Sequence, residues 1–385
     1  MKVKLLSPVT SIFSTSILTM AIVLATSSWA FSQREAVLHR FAGTGDGVNP
    51  FAGVVRDAKG NLYGVTIIGG AYGFGAVYQV TPAGVESVLY SFMGGSDGGY
   101  PDSNLVLDSA GNLYGTTQFN NVFKLTPSGT LSVLHAFMGP DGSAPYGTLI
   151  RDAHDNLYGT TQSGGAYNAG TVFEIASTGK ETVLYSFTGG ADGGYPFNGG
   201  LLLAGTTLYG TTAGGGTGYG VVYKVTLKAT ESVVYTFLGG TDGDSPEGNL
   251  VRDKNGNLFG NTFRGGASDS GTVFQITPAG TETILHSFGR DGTGGYGPYG
   301  GLVADASGNL YGATTYGGNS CGCGTVYKLT PSGKETLLYA FKGGADGDDP
   351  AGALILDAKG NLYGATYYGG VVGSVGNGVV FKVFP

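Results

Sequence analysis

Apolar residues in this chain fall into short runs of five to seven positions, bounded by Gly, Pro, Asn or Asp. Such runs predict β-strands, because β-branched and aromatic residues suit a pleated surface and the bounding residues suit turns. One representative group contains four runs, named strands a, b, c and d: Thr148–Asp152, Asn156–Thr161, Gly170–Ala176 and Glu181–Phe187. Their spacing predicts a four-stranded antiparallel unit.

The same unit occurs seven times. The string N-L-Y-G-x-T, with small variations, recurs at a mean spacing of 50 residues, with its leucine at Leu62, Leu113, Leu157, Leu208, Leu258, Leu310 and Leu362. Links of the form D-x-x-G-N and T-P-x-G join a to b and c to d, where Gly and Pro supply the turn dihedral angles. A four-stranded meander of this length is typical of a propeller blade. The sequence predicts an all-β fold, a seven-bladed β-propeller of four-stranded antiparallel blades.

Closure of the ring depends on two incomplete repeats. A lone d-type strand, Glu35–Phe41, precedes the first complete repeat, and the last repeat stops after a c-type strand, Gly378–Phe384. An unpaired edge strand is an aggregation hazard. We therefore expect the N-terminal strand to complete blade 7 and to close the ring.

Two aromatic positions recur in the repeats and predict the core between blades, because blades pack face to face. Strand b carries Tyr63, Tyr114, Tyr158, Tyr209, Phe259, Tyr311 and Tyr363, and strand c carries Tyr78, Phe123, Phe173, Tyr223, Phe274, Tyr327 and Phe381. Gly205 replaces the aspartate that ends strand a in the other blades. A different a–b turn is expected in blade 4.

Residues 1–30 are predicted to be a signal peptide. Lys2 and Lys4 precede an apolar stretch, and Ser28-Trp29-Ala30 places small residues where cleavage after Ala30 would need them. An uncleaved membrane anchor is the alternative, but its apolar centre is short for a span of about 20 residues. We expect residues 31–385 to form one propeller domain that is secreted, with the periplasm as the alternative location and no membrane contact after cleavage.

Composition excludes several classes of protein. With 74 Gly and 14 Pro, a mainly helical fold is disfavoured, and the net charge of −7 without any basic run argues against a nucleic-acid partner. Removal of residues 1–30 takes away Lys2 and Lys4 and leaves a net charge of −9. An acidic polymer would be repelled at low salt.

Histidines and repeated aspartates raise the question of a metal. His39, His135 and His286 share one strand-d position that is Tyr in other blades, so they are spread around the ring and a structural role is favoured. Asp-Gly pairs recur in the links from strand d to the next strand a: Asp46, Asp97, Asp141, Asp192, Asp242, Asp291 and Asp346. They lack the alternating ligand spacing of a calcium loop, and Asp-Gly is common in turns. No metal and no cofactor is predicted.

Two other groups have alternative interpretations. Cys321 and Cys323 form a C-G-C pair in a b–c loop, which in an oxidising compartment can be a small disulfide ring or two thiols. Arg56, Arg151 and Arg252 occupy the same position near the end of strand a in blades 1, 3 and 5. They form either a small anion site near the axis or separate contacts with their own turns.

The b–c and d–a loops of a propeller emerge on one face, which here is rich in Gly, Asp, Asn and aromatic residues. Rigid aromatic rings beside small polar groups suit sugars or protein surfaces. The candidate ligand-binding residues are Tyr72, Tyr167, Tyr219, Tyr316, Tyr367 and Tyr368. Unequal b–c loops predict one asymmetric cleft walled by blades 1, 6 and 7.

The runs L-Y-S-F-x-G-G-x-D-G, G-N-L-Y-G-T-T and G-T-V-F-K-L-T-P-x-G resemble the GloVer tandem-repeat family of exported bacterial proteins. The resemblance covers the chain after residue 30 and implies an exterior location and a propeller-like repeat domain. Relatives often carry a C-terminal sorting anchor, whereas this sequence ends at Pro385 without an apolar tail. The resemblance supplies no catalytic residues.

Two classes of function remain. The first is a non-enzymatic binding or scaffold propeller, monomeric, with an extracellular polysaccharide or a cell-surface protein as partner. The second is a propeller enzyme of the lactonase, lyase or glycosidase class, which needs acids and bases with separated pKa values near the axis. Most glutamates repeat at the start of strand d, far from the axis, which favours the first class.

Overall fold

The computed structural model describes residues 34–43, 45–197, 199–290, 294–371 and 376–384, and residues 33–385 form one compact unit. The predicted signal peptide and Asp291 lie outside the described residues. Seven four-stranded antiparallel sheets are present in this part of the chain, which confirms the predicted seven-bladed β-propeller.

The first strand stands alone in sequence, and four complete blades follow it. It is β1 (Arg34–Arg40). Blade 1 contains β2 (Val55–Arg56), β3 (Leu62–Thr66), β4 (Ala76–Val80) and β5 (Glu86–Ser91); blade 2 contains β6 (Val106–Leu107), β7 (Leu113–Thr117), β8 (Asn121–Leu125) and β9 (Leu131–Ala136). Blade 3 contains β10 (Ile150–Arg151), β11 (Leu157–Thr161), β12 (Thr171–Ile175) and β13 (Glu181–Ser186); blade 4 contains β14 (Leu202–Ala204), β15 (Thr207–Thr212), β16 (Val221–Thr226) and β17 (Glu231–Thr236).

Three further blades complete the ring. Blade 5 contains β18 (Asp244–Arg252), β19 (Leu258–Arg264), β20 (Thr272–Ile276) and β21 (Glu282–Ser287). A short strand, β22 (Gly295–Tyr296), precedes blade 6, which contains β23 (Val303–Ala304), β24 (Leu310–Thr314), β26 (Thr325–Leu329) and β27 (Glu335–Ala340), with β25 (Tyr316–Gly317) paired to β22. Blade 7 contains β28 (Ile355–Leu356), β29 (Leu362–Thr366) and β30 (Val379–Phe384). Single 3₁₀ turns lie at Gly240–Asp242 and Gly344–Asp346.

The N-terminal strand closes the ring. β1 pairs antiparallel with β30, from Arg34 opposite Phe384 to Arg40 opposite Val379, and becomes the outer strand of blade 7. The amide of Phe41 extends the ladder by donating to the carbonyl of Gly378 at 3.1 Å. The predicted closure is confirmed.

The a–b turns repeat one hydrogen-bonding arrangement. In blade 1, Oδ1 of Asp57 accepts the amide of Asn61, and its Oδ2 accepts the Asn61 side chain and the hydroxyl of Tyr63. Burial alone would raise the pKa of Asp57, but these hydrogen bonds outweigh it and lower the pKa. In blade 4, Gly205 has φ 62° and closes a hairpin in which Ala204 pairs with Thr207, so the different turn predicted there is confirmed.

Apolar packing lies mainly between blades. Each of the seven buried clusters in the described residues joins two neighbouring blades, and the predicted aromatic positions contribute to them. A phenylalanine that follows strand d of one blade meets the strand-c aromatic of the next, as in the edge-to-face pair of Phe187 and Tyr223, with ring centroids 4.9 Å apart. The seams between blades are therefore the core of the protein.

A bulge in the outer strand directs its polar side chain to the following loop. In blade 1 the register between β4 and β5 shifts between Val77 and Tyr78, so β5 contains one extra, unpaired residue. The hydroxyl of Tyr90 then donates to Oδ2 of Asp97 at 3.0 Å, and the same oxygen accepts the amide of Met93. The Asp-Gly carboxylate thus acts as a hydrogen-bond acceptor within its loop.

Glutamates at the start of strand d are drawn into these seams. The pKa of Glu35 is raised to about 8, and the pKa values of Glu86, Glu231 and Glu282 are raised to about 7. Burial is the largest cause, and the second is the Asp-Gly carboxylate in the d–a loop that leads into the same blade. One oxygen of each carboxylate is buried without a hydrogen-bond partner. The folded protein therefore favours the protonated form of these groups.

We predict that thermal stability falls as the pH rises from 6.5 to 8.5. A folded-state pKa above the unfolded value means that the folded chain binds more protons in this window, so the free energy of unfolding decreases with pH. Burial lowers the pKa of His39 and His286, which has the opposite effect, but only below about pH 6.5. Differential scanning calorimetry at constant ionic strength measures the change in Tm.

Substitution of Glu86, Glu231 and Glu282 by Gln is the control for this prediction. The amide mimics the protonated carboxyl, so the triple variant is expected to match the parent at pH 6.5 and to exceed its Tm at pH 8.5. An unchanged slope of Tm against pH in the variant contradicts the assignment.

Candidate functional site

The upper face of the ring, which carries the d–a and b–c loops, is stiffened by backbone pairing between those loops. Val48 is bridged to Ile68 in blade 1, and Ser143 to Ser163 in blade 3. In blade 6 the same contact is the β22–β25 pair. Side chains on these loops are held in place before any ligand arrives, which reduces the entropy lost on binding.

A proline in each d–a loop fixes the residue that follows it. Pro101 packs against the glycine that precedes strand c of the preceding blade, since a Cβ on Gly75 would lie 2.7 Å from its Cδ, and Pro246 packs on Gly220 in the same way. Five of the residues that follow these prolines line the axial cavity, and a sixth, Phe197, contacts Tyr146 and Tyr299. We call the seven residues that follow the prolines the axial ring: Phe51, Asp102, Tyr146, Phe197, Glu247, Tyr299 and Ala351.

Aromatic members of the axial ring contact one another at the upper end of the axis. The ring of Tyr299 lies 5.3 Å from that of Phe51 and 6.4 Å from that of Phe197, which in turn lies 5.6 Å from Tyr146, all in edge-to-face geometry. The axial cavity is about 30 Å³. It is large enough for water and too small for a sugar.

An aromatic basin opens on this face between blades 5, 6, 7 and 1. It is a cavity of about 260 Å³ lined by Phe51, Phe263, Tyr299, Thr315, Tyr316, Asp349, Ala351, Tyr367 and Tyr368. The rings of Tyr367 and Tyr368 are 4.5 Å apart, and Phe51 lies 5.8 Å from Tyr367. The walls of the basin consist of aromatic ring faces and edges, together with the carboxyl group of Asp349 and the hydroxyl groups of Thr315 and the tyrosines.

Asp349 supplies the carboxyl group of the basin. Burial, with the neighbouring Asp348 carboxylate as the second cause, raises its pKa to about 7. Near neutral pH it therefore exists in both protonation states, and it can donate a hydrogen bond as well as accept one.

A second cavity, of about 300 Å³, adjoins the basin through Phe51 and Tyr367 and contains Asp102. Asp102 is 8% exposed; its Oδ2 accepts a hydrogen bond from Gln118 at 3.0 Å, and its Oδ1 has no partner. Burial raises the pKa of Asp102 to about 7 against the opposing effect of Gln118. Gln162 adds a further carboxamide to this wall.

A third cavity, of about 410 Å³, adjoins the basin on the side of blades 5 and 6 and shares Phe263 and Tyr316 with it. Arg264 and Arg290 line it, and the Arg290 guanidinium lies 5.0 Å from the centroid of the Tyr296 ring. The upper face thus carries two arginines on one side of the aromatic rings and Asp102 on the other.

The structure brings together three of the six predicted ligand-binding tyrosines. Tyr316, Tyr367 and Tyr368 line the aromatic basin, whose walls include the predicted blades 1, 6 and 7 and also blade 5. The other three lie in b–c loops of separate blades and are 59%, 64% and 40% exposed: Tyr72, Tyr167 and Tyr219.

The three predicted arginines lie in or beside a–b turns. Arg151 forms an ion pair with Asp155 of its own turn, and Arg252 packs near the glycine of its turn. Arg56 lies 5.7 Å from the centroid of the Tyr363 ring in blade 7. In the part of the chain that the structure describes, none of these contacts joins one arginine to another.

Cys321 and Cys323 are joined by a disulfide in the b–c loop of blade 6, with their Cα atoms 5.3 Å apart. The Sγ of Cys321 lies 3.5 Å from the carbonyl of Phe341. The pair therefore fastens this loop beside the end of the outer strand, near the rim of the upper face.

Sequence reasoning overlooked most of the axial ring, including Phe51, Asp102 and Tyr299. The signal was present, because the residue after the d–a proline differs in type among blades while its neighbours repeat. A position that varies within an otherwise regular repeat does not take part in the packing that all repeats share. Binding residues are expected at such positions.

A family model described as the Gloeobacter/Verrucomicrobia repeat matches residues 26–217 and 120–320. The chain belongs to this repeat family. The match confirms the resemblance seen in the repeated sequences. In this member of the Gloeobacter/Verrucomicrobia repeat family, the repeats correspond to propeller blades.

Solved structures share the fold of this Gloeobacter/Verrucomicrobia repeat protein at low identity. The extracellular domain of a hybrid two component system from B. thetaiotaomicron is 11% identical with a TM-score of 0.60, over 92% of this chain and 40% of that chain. A second such extracellular domain from B. thetaiotaomicron is 13% identical with a TM-score of 0.56, over 92% of this chain and 41% of that chain. These similarities show the fold alone.

A gluconolactonase from Xanthomonas campestris is 15% identical with a TM-score of 0.43, over 72% of this chain and 83% of that chain, which is too distant to inform on function. No curated protein matches the sequence. Within the described residues, no helix has the length and apolar character needed to cross a membrane.

Proposed function

We propose that this protein is an exported, non-enzymatic binding propeller that recognises a neutral or mildly cationic polysaccharide through the aromatic basin. The observation that supports this proposal is the convergence of Tyr316, Tyr367 and Tyr368 with Phe51 and Tyr299 in one open cavity. Aromatic rings stack on the apolar faces of sugars, and adjacent polar groups bond to the hydroxyls at their edges.

Charge narrows the class of ligand. The chain without residues 1–30 has a net charge of −9, and Asp102 and Asp349 lie on the proposed face. Polymers with many carboxylate or sulfate groups would be repelled, most strongly at low ionic strength. Neutral or amine-bearing glycans fit better.

Replacement of Tyr316, Tyr367 and Tyr368 by Ala is predicted to abolish retention on insoluble neutral glycans. If each ring contributes about 1 kcal/mol, the triple variant loses about 3 kcal/mol, which is roughly a hundredfold in affinity. Affinity electrophoresis or column retention measures the loss. The Tm is expected to change little, since the substitutions leave the backbone pairing of the loop intact.

The matched control replaces Tyr72, Tyr167 and Tyr219, three exposed loop tyrosines outside the basin, by Ala. This variant should be retained like the parent. Equal retention of both triple variants, or no retention of the parent on any glycan tested, would argue against a glycan site in the basin.

Asp349 favours a second candidate, a propeller enzyme that cleaves a lactone or glycosidic bond. A carboxyl group with a pKa of about 7 can hold a proton at neutral pH and donate it to a leaving group. Turnover of a lactone or glycan by the parent, lost in Asp349→Asn while binding persists, would establish the enzyme. Binding without turnover supports the first proposal.

A further inference from the structure

Three metal-ligating side chains converge at the seam between blades 2 and 3, away from the aromatic basin. They are His135 at the end of β9, Asp141 in the following loop and Glu181 at the start of β13. One ligand atom from each lies within 4.8 Å of the other two. The side chains of His135 and Asp141 are 21% and 24% exposed, so the cluster is sheltered and still open to ions.

The packing of the seam does not require a histidine at position 135. In the other seams the histidine position is filled mostly by Tyr, and Tyr185 donates to Asp192 at 2.9 Å just as His135 Nε2 bonds to Asp141 at 2.8 Å. The loop is therefore satisfied by a phenol. An imidazole nitrogen in its place adds a metal ligand, which the phenol does not readily supply.

Glu181 provides a second observation. Its Oε1 is buried and has no hydrogen-bond partner. The position does not demand a carboxylate, because blade 2 has Leu131 there, paired to strand c in the same register. Other strand-d glutamates have the same unpaired oxygen, but at Glu181 it lies in one cluster with an imidazole and a second carboxylate, which a cation can bridge.

We propose that His135, Asp141 and Glu181 bind a divalent transition-metal ion, with Zn²⁺ as the expected occupant, which joins blade 2 to blade 3. One imidazole nitrogen and two carboxylate oxygens suit Zn²⁺, which takes such ligands at about 2.0–2.2 Å, with water in the fourth position. Ligand atoms at those distances are about 3.3 Å apart in a tetrahedral site. In the structure the three ligand atoms lie within 4.8 Å of one another, so the cluster would contract on binding the ion.

Hard ions are poorer candidates. Ca²⁺ requires six to eight oxygen ligands, and Mg²⁺ prefers an octahedron of oxygens. Three ligands that include an imidazole favour Zn²⁺ over both. The ion would bind the folded chain alone, since its ligands come from two blades, and would therefore raise the melting temperature.

The test uses the purified mature protein after EDTA treatment and dialysis, titrated at pH 7.5 with ZnCl₂, CaCl₂ or MgCl₂ by calorimetry and by thermal shift. We expect one equivalent of Zn²⁺ to bind at this seam and to raise the Tm by several degrees, with no comparable effect of CaCl₂ or MgCl₂. Visible absorption of a Co²⁺ complex gives a readout that a purely structural histidine does not produce.

Two variants take their residues from the chain's own repeats. His135→Tyr copies Tyr185 and keeps the bond to the loop aspartate, and Glu181→Leu copies Leu131. Each should fold with a metal-free Tm near that of the parent and should lose the Zn²⁺ equivalent and the Co²⁺ spectrum.

The seam between blades 7 and 1 is an internal comparison, with His39 Nε2 and Asp46 Oδ2 3.5 Å apart beside Glu86. The His39→Tyr variant should still bind one equivalent of Zn²⁺ at the seam between blades 2 and 3. The proposal is overturned if the parent binds no Zn²⁺, or if His135→Tyr binds as much Zn²⁺ as the parent.

Discussion

A protein that lacks residues 31–41 is expected to unfold or to oligomerise, because blade 7 loses its outer strand. The deletion removes the complete ladder between β1 and β30 and also Phe41, which packs edge to face with Tyr78 of blade 1 at 5.0 Å. Both the outer edge of β30 and the seam between blades 7 and 1 would be exposed to solvent. Size-exclusion chromatography with light scattering and thermal denaturation measures the outcome.

A peptide of residues 31–41 added in excess should restore a cooperative transition and the monomeric state, since it supplies the missing strand. A peptide of the same composition in scrambled order is the control. If the truncated protein remains monomeric with the Tm of the parent, β1 does not hold the ring closed.

Phe187→Ala is expected to lower the free energy of unfolding by about 3–5 kcal/mol, the range for removal of a fully buried aromatic ring. Phe187 is 0% exposed and lies between blades 3 and 4 against Tyr223, which is also 0% exposed. The neighbouring strands are tied by ladders and cannot collapse into the space. Urea denaturation followed by circular dichroism measures the loss.

Leu238→Ala is the matched control, because Leu238 directly follows the corresponding phenylalanine of blade 4 and is 66% exposed. Its effect should lie within about 0.5 kcal/mol of zero. A loss for Phe187→Ala that is no greater than for Leu238→Ala would mean that the seams do not carry the stability.

The fold could be predicted from the sequence because every blade repeats the same local signals. Turn residues, two aromatic columns and the incomplete first and last units agree with one another, and consistency across levels is what specifies a fold. Blade 4 departs from the repeat in a way that the sequence also predicts. Gly205 replaces the aspartate of the a–b turn, and the turn differs from those of the other blades.

The candidate site was only partly predictable. Tyr316, Tyr367 and Tyr368 could be chosen because they stand in long loops, but Tyr72, Tyr167 and Tyr219 satisfy the same criterion and lie in separate blades. Which loop residues meet depends on how far each loop leans over the axis, and that is set by the pairing of d–a with b–c loops. Asp102 and Tyr299 follow a proline whose role only the packing reveals.

Pairing of β1 with β30 joins strands that lie far apart in the sequence. Phe41 and Asn377, which meet at this joint, are 336 positions apart, whereas strands within the other blades follow one another directly. Loop-closure entropy grows by about 0.6 kcal/mol for each doubling of loop length, so this last contact carries the largest entropic penalty in the chain. During synthesis, β1 emerges first and waits for its partner until nearly all the other blades exist. A nascent chain therefore has an unpaired β1 edge until β30 has been synthesised, and an unpaired edge is prone to aggregation.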